Sequence, residues 1–472
     1  MRGLTFPAPR AAAPDAPERP PRGRIARRQE ALLLAFVVVI VLYGYIAAGM
    51  ATGGAVPDGA PEFALTMCCL AFTPHLAVRR FAPYADPLIL PLATLLTGLG
   101  LVLLHRLDHA YRTPPAGGQQ LLWTVLGVAA CLLTLALLKD YRQLQRYIYV
   151  TMAAALVLLI APALYAGDTY GAKRWVYLGP VSFQPGEFVK VMIAVFFAGY
   201  LVSHRDALAL TGRRALGMRL PPGRQLGPIV AVWSASLLVL VLERDLGTSL
   251  IFFGLFIVML YVATGRGSWV VCGALMAVVG ATVVGSTEPH VKGRIEAWLH
   301  PFDIFLPVDR RPPGLISDQA AQALFGFGSG GMTGTGLGQG HPELIGFAGR
   351  SDFILTTVGE ELGLAGMMAV LLLYALLAER GLRAALVSRD PFGKLLALGL
   401  ASALALQVFV VAAGVTGLMP LTGKALPFLA QGGSSMIANW LLVALLLKVS
   451  DHARRPGGAP PHDDEQATRP AA

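Results

Sequence analysis

Long apolar runs recur along almost the whole chain, and only short polar turns separate most of them. Several reach or exceed the ~18–20 residues that cross ~30 Å of hydrocarbon. Twelve spans are predicted, at 31–50, 63–78, 87–105, 120–138, 147–166, 187–203, 226–242, 247–264, 268–286, 352–378, 394–417 and 431–449. In lipid only helices and closed barrels satisfy their backbone groups, so the pattern predicts an all-α, polytopic membrane protein. One long break interrupts it, the loop 287–351, too rich in Trp, Phe, Leu and Ile for a disordered linker. Loops of that length are usually functional or disordered, and the composition points to function.

Composition agrees with the pattern. Hydrophobic residues make up 55% of the 472 and charged residues 14%, well below a soluble domain's usual quarter. The net charge of +10 invites a nucleic-acid reading, but its placement answers otherwise. With the N-terminus inside, cytoplasmic segments carry 24 of the 38 Lys and Arg and outer segments carry 11. That is the positive-inside asymmetry, with some attraction to anionic membrane lipid, and nucleic acid is not a predicted partner. The chain is therefore expected in the cytoplasmic membrane, with both termini cytoplasmic. Residues 1–30 and 451–472 are polar and proline-rich tails that cannot bury a core. Cys68, Cys69, Cys131 and Cys272 all fall in apolar runs without CxxC spacing and read as packing residues. No direct or inverted repeat is visible, which counts against the commonest secondary-transporter architectures.

This orientation gathers four polar, glycine-containing segments on the outer face: Gly167–Lys190, Glu243–Ser249, the long loop and Leu418–Ser435. Together they describe a one-sided active or binding surface. Glu187 and Lys190, three residues apart at the start of the sixth span, share a helical face. A charge near mid-membrane costs ~2.5–3.5 kcal/mol on insertion scales, so the two form either a structural ion pair or part of a wet cavity. Glu360 and Glu361 fall roughly 12–14 Å along the span that starts at Asp352, pointing ~100° apart, so at least one is expected to line a cavity. Asp245, just before Leu246, reads as a helix N-cap. Lys173 and Arg174 beside Trp175 read either as an interfacial anchor or as a holder of phosphate or pyrophosphate. The Gly328–Gly340 run does not match GxGxxG and has no flanking strand–helix unit, and neither GxxxxGK[ST] nor GxSxG is present, so neither a nucleotide motor nor a serine nucleophile is indicated. His300 and His341 stand alone as further candidate bases, and Gly432-Gly433 reads as a close helix approach.

Six segments then occur in a telling order: GAKRWVYLGPVSFQPGEFVK, ERDLGTS, RIEAWLHP, SDQAAQALFGFGSGGMTGTGLGQG, SDFILTTVGEELGLAG and PLTGKALPFLAQGGSSMIANW. They resemble the shape, elongation, division and sporulation (SEDS) family, the RodA/FtsW/SpoVE proteins, with a lean to the RodA branch of high-GC actinobacteria. The resemblance covers roughly residues 147–450 as a core. It implies ten family spans with two added at the N-terminus, so residues 31–146 are read as N-terminal transmembrane helices between the tail and the core. It further implies a peptidoglycan glycosyltransferase that polymerises lipid II by inversion at the outer face, serving cell shape, division or sporulation. A class B penicillin-binding protein, the transpeptidase, is the implied partner. The chemistry admits a divalent cation, magnesium or manganese, and calls for no other cofactor.

The family's essential aspartate lies in the long loop, where HPFDIFLPVDRRPPGLISDQ departs from the family pattern by an insertion after Pro301. The resemblance assigns the base to Asp303, with Asp309 as the alternative and Asp318 as a helix cap. It also gives weight to Trp175, Glu187 and Lys190, notes Gly186 in place of the usual Ser, and raises Asp245, Glu360 and Glu361 to substrate-cavity residues beside Lys173 and Arg174. Two rivals use the same surface: a lipid II flippase, which needs no base, and a non-catalytic scaffold for the transpeptidase.

Overall fold

The computed structural model describes residues 22–456, apart from 112–114, 166–174, 179–180, 210–213, 216–217, 220–229, 231–233, 236–244 and 313–316. In chain order its helices are α1 (Arg22–Gly53), α2 (Ala60–Phe81), α3 (Ile89–Ala110), α4 (Gly117–Leu137), the single turn α5 (Gln143–Arg146), α6 (Ile148–Tyr165) and α7 (Pro185–Ala209). They continue as α8 (Leu246–Thr264), α9 (Gly267–Thr287), α10 (Pro289–Leu299), α11 (Gln319–Gly330), α12 (Ile354–Glu361), α13 (Gly363–Val387), α14 (Pro391–Val415) and α15 (Gly433–Arg454). Two small antiparallel hairpins accompany them: β1 (Val176–Leu178) with β2 (Val181–Phe183), and β3 (Arg214–Ala215) with β4 (Met218–Arg219).

Nine of the described helices are long and apolar enough to cross a bilayer: α1 to α4, α7, α8, α9, α14 and α15. Eleven of the twelve expected spans overlap a described helix, and the remaining one, 226–242, lies largely outside the described residues. Local chemistry sets several boundaries. Asp390 caps α14 by accepting from the Gly393 amide at 2.9 Å, with Pro391 in the first turn where no amide partner is needed. At the end of α8, Gly265 turns left-handed at φ +69°, a conformation costly for other residues.

The tenth expected span needs correction. Residues 352–378 do not form one helix, because the chain breaks between α12 and α13 at Gly363, where φ is +68°. A Cβ at Gly363 would lie 2.3 Å from the Gly334 nitrogen, so a neighbouring loop presses against this break. The long helix therefore runs over 363–387, and Glu360 and Glu361 belong to a short separate helix.

A central group of α3, α7, α8, α14 and α15 carries most of the buried apolar side chains, while α1, α2, α4 and α9 leave Phe36, Tyr43, Leu65, Leu133, Leu275 and similar residues outward. Those outward residues suit acyl chains, because lipid solvates Leu and Phe as well as a protein interior does. The described part of the long loop is structured: α10 and α11 lie within it, with 3₁₀ turns at Pro301–Phe305 and Val308–Arg310 between them.

Candidate active site

A cavity of about 760 Å³ opens among the ends of α4, α10, α11 and α14, the β1–β2 hairpin and the segment before α15. Five glutamines line it, Gln119, Gln120, Gln184, Gln319 and Gln431, together with three tryptophans, Trp123, Trp175 and Trp298. Carboxamides donate and accept at once, as hydroxyl-rich ligands require, and indole faces offer flat apolar plates. Among the described residues, Asp352 and Arg294 are the only charged side chains in the lining.

The walls are braced from behind. Asp108 accepts the amides of Ala116 and Gly117 at 2.7 Å each, which fixes the start of α4. Arg350, 2% exposed, pairs with Asp108 at 3.0 Å and lies over the Tyr111 ring at 4.8 Å. Burial pushes the Tyr111 phenol up to about 12, so near neutral pH it stays protonated and donates to the Pro342 carbonyl at 2.8 Å. Gln120 accepts from the Gly432 amide at 3.0 Å and donates to the Ala430 carbonyl at 3.3 Å. A Cβ at Gly433 would sit 2.4 Å from the Trp123 indole, so the glycine pair is indeed a close approach, of α15 to α4. On the opposite side, Trp298 donates to the Gly417 carbonyl at 2.7 Å and Arg294 to the Leu421 carbonyl at 3.0 Å, tying α10 to the chain after α14.

Behind the wall formed by Gln184, Gly423, Ala425 and Gly433 lies a sealed ionic network. Lys190 donates to Glu187 at 2.9 Å, Gln407 at 2.6 Å and Asn439 at 2.9 Å. Lys424 stands 3.3 Å from Asp245 and 3.7 Å from Glu187, and all four charged groups are nearly inaccessible. Asp245 also caps α8, accepting from the Thr248 amide at 3.1 Å and its hydroxyl at 2.6 Å. Two carboxylates and two ammoniums make the cluster neutral, which is the condition for keeping charges out of water. Glu187, Lys190 and Asp245, expected at the cavity, thus stand one layer behind it and do not line it.

Glu360 and Glu361 do not line it either. Glu361 accepts from Arg106 Nε at 2.9 Å and from the Gly338 amide at 2.9 Å, and Glu360 accepts from the His341 amide at 2.8 Å. Arg106 also donates to the Gly340 carbonyl at 2.9 Å. The two adjacent glutamates point to successive stretches of one glycine-rich segment and clamp it onto α12. The segment reaches α1 as well, since a Cβ at Gly338 would meet the Ala51 side chain at 2.7 Å.

The loop aspartates sit on the cover. Asp303, in the 3₁₀ turn after α10, is 40% exposed and 3.9 Å from His300, and Pro301 two residues earlier lines the cavity. Asp309 is exposed in the next turn. Asp318 occupies the N-cap position of α11 without capping it, and instead accepts from the Gln322 side chain at 3.3 Å. Trp175 lines the cavity as expected for a site residue, whereas Lys173 and Arg174 lie outside the described residues. The sequence reading passed over Lys424, Gln407, Asn439, Arg106, Arg350 and Asp352. Gln407 and Asn439 carried a legible signal, being polar residues well inside apolar spans.

The family described as Cell cycle protein, which groups FtsW, RodA and SpoVE, matches residues 87–455. This chain belongs to that family. It is 44% identical over 460 residues to the peptidoglycan glycosyltransferase RodA of Mycobacterium bovis, covering 95% of this chain and 94% of that one. It is 32% identical over 394 residues to the probable peptidoglycan glycosyltransferase FtsW of Geobacter sulfurreducens, covering 82% and 99%. Among solved structures, a chain reported under structural coordination of polymerization and crosslinking by a peptidoglycan synthase complex superposes with a TM-score of 0.60 at 26% identity, covering 79% and 99%. Rod shape determining protein RodA of Thermus thermophilus superposes at 0.54 with 24% identity, covering 79% and 98%, a likeness of fold. The family match begins at residue 87, so α1 and α2 precede it.

Proposed function

We propose that this chain is a peptidoglycan glycosyltransferase that polymerises lipid II into β-1,4 glycan strands at the outer face of the cytoplasmic membrane. The observation that carries the reading is the 44% identity to a peptidoglycan glycosyltransferase RodA over 95% of the chain. The amide- and tryptophan-lined cavity supports it, because sugars present hydroxyls at their edges and C–H groups on their faces. In the proposed step a carboxylate takes the proton of the acceptor GlcNAc 4-hydroxyl as its oxygen attacks the anomeric carbon of the donor MurNAc. The bond to pyrophosphate breaks, undecaprenyl pyrophosphate leaves, and the configuration inverts from α to β. General-base help of this kind contributes about 10²–10⁴ in rate.

Asp303 on the cover is the proposed base, and Asp309 the alternative. Lys173 and Arg174, next in the chain to Trp175, are proposed to offset the charge that develops on the pyrophosphate. Among the described residues no three His, Cys, Asp or Glu side chains gather as a metal site, so no step is assigned to a metal. Magnesium or manganese enters the proposal only as a counter-ion of the pyrophosphate. A class B penicillin-binding transpeptidase is the proposed partner, in keeping with the fold shared with a chain of a peptidoglycan synthase complex.

The test is glycan synthesis from lipid II by the purified protein with its transpeptidase. Polymer is expected from the wild type and none above background from Asp303→Ala, with melting temperature and partner binding unchanged. Polymer from Asp303→Ala but not from Asp309→Ala would move the base to Asp309. Normal polymer from both would end the general-base assignment, and flipping without polymer in liposomes would favour transport.

A further inference from the structure

The carboxylates around the outer end of the bundle fall into two groups. Glu187, Asp245, Glu361 and Asp108 are each matched by a buried cation, and Glu360 by a loop amide. Asp352 is different. It is the one carboxylate in the cavity lining among the described residues, and it forms no salt bridge there. Its one hydrogen bond among those residues comes from the Ser351 hydroxyl to Oδ1 at 2.7 Å. An ionised carboxylate offers about four acceptor sites, so most of this one's capacity faces the cavity unused.

The backbone that carries Asp352 is held from both sides. Arg350 is buried, locked to Asp108 through its guanidinium, and its carbonyl accepts from the Gln431 amide at 2.8 Å. Phe353 is 1% exposed, and its amide donates to the Ala348 carbonyl at 3.0 Å. Burial of Arg350 and Phe353 on either side of Ser351-Asp352 anchors the backbone that carries the carboxylate, the kind of preorganisation a substrate contact needs. Gln431, whose amide holds the Arg350 carbonyl, also lines the cavity, and its side-chain oxygen has no hydrogen-bond partner among the described residues. That oxygen is buried, so the Asp352 carboxylate is the acceptor this wall displays to the cavity, a demand that sugar hydroxyls meet.

We infer that Asp352 is a further catalytic residue of this site, whose carboxylate accepts a hydrogen bond from a sugar hydroxyl of the bound substrate and holds that sugar in place. The inference rests on the glycosyltransferase reading but not on which loop aspartate is the base. Asp303 lies on a 3₁₀ turn outside the lining, whereas Asp352 belongs to the braced wall, so the two carboxylates have separate tasks.

The test compares wild type with Asp352→Asn, Asp352→Ala and Asp352→Glu, each purified in full length with the transpeptidase. Lipid II polymerisation is measured alongside lipid II binding, followed by quenching of tryptophan fluorescence. The Asn and Ala variants are expected to lose at least about tenfold in kcat/KM and to bind lipid II more weakly, while Glu recovers part of both. Melting temperatures should stay within a degree or two of wild type, which a merely structural residue would not allow. Activity and affinity of Asp352→Asn within twofold of wild type overturn the inference. A loss that merely follows a lowered melting temperature, without recovery in Asp352→Glu, overturns it too. If the wild type binds lipid II but makes no polymer, the glycosyltransferase reading fails, and the binding comparison alone then decides whether Asp352 holds the sugar.

Discussion

Single residues in this protein divide by whether their charge is matched in the interior or displayed to the cavity. Glu187 and Lys190 are 1% and 2% exposed, so neither can recover water if its partner is removed. Breaking a buried pair from one side typically costs about 3–5 kcal/mol, because the survivor is left charged in a poor solvent. Lys190→Met is therefore expected to lower the melting temperature in detergent sharply. The double variant Glu187→Gln/Lys190→Met should regain most of that loss, since no charge is stranded. A double variant as unstable as the single one would show that Gln407, Asn439 and Lys424 demand this particular pair. The Glu187–Lys190 pair was legible from its three-residue spacing. Lys424 was not, because it reaches Asp245 and Glu187 from a segment far away in the chain.

At the scale of elements, the decisive feature is the glycine-rich segment pinned against α12. Gly334 sits at φ +86°, and a Cβ there would lie 2.1 Å from the Glu361 carbonyl oxygen. Left-handed backbone alone costs a non-glycine residue roughly 1–2 kcal/mol, and a clash with main chain cannot relax by rotating a side chain. Gly334→Ala should thus destabilise the protein and loosen the segment, seen as faster protease cleavage within 331–341. Gly328 is the control. It lies in α11 with nothing within 4 Å of an added Cβ, so Gly328→Ala should leave stability unchanged or raise it by up to about 1 kcal/mol. The same contact explains the misplaced tenth span. Apolar periodicity continued through Leu362 and Gly363, but the approach of the Met332–Gly334 backbone forces a break there that no local propensity announces.

For the whole molecule, orientation follows from charge and from where the cavity opens. The excess of Lys and Arg in the tails and alternate loops predicts that both termini are cytoplasmic. That orientation predicts the turn at Phe305 outside and the turn at Gln143 inside. In a background without the four native cysteines, a membrane-impermeant maleimide should label Phe305→Cys in intact protoplasts, where that side chain is 54% exposed. It should label Gln143→Cys only after permeabilisation. The reverse pattern would invert the protein and remove the outer-face reading of the cavity. At the other end of the bundle, Asp86 gathers Arg454 and Arg380, which ties the start of α3 to the end of α15 and to α13. That clasp sits opposite the cavity, so it contributes to the frame rather than to the chemistry.

The sequence by itself determined the membrane class, most span positions and the family, because each is written in local hydrophobicity or ordered motifs. It also named Trp175 and the Asp245 cap, whose roles depend on a few neighbouring residues. Tertiary structure alone decided which charged residues face the cavity. Burial and partnering depend on side chains brought together from distant segments, as with Arg106 and Glu361 or Arg350 and Asp108. That is why five of the expected cavity charges turned out to be sealed or clamped elsewhere, while Asp352, unremarkable in the sequence, stands in the wall.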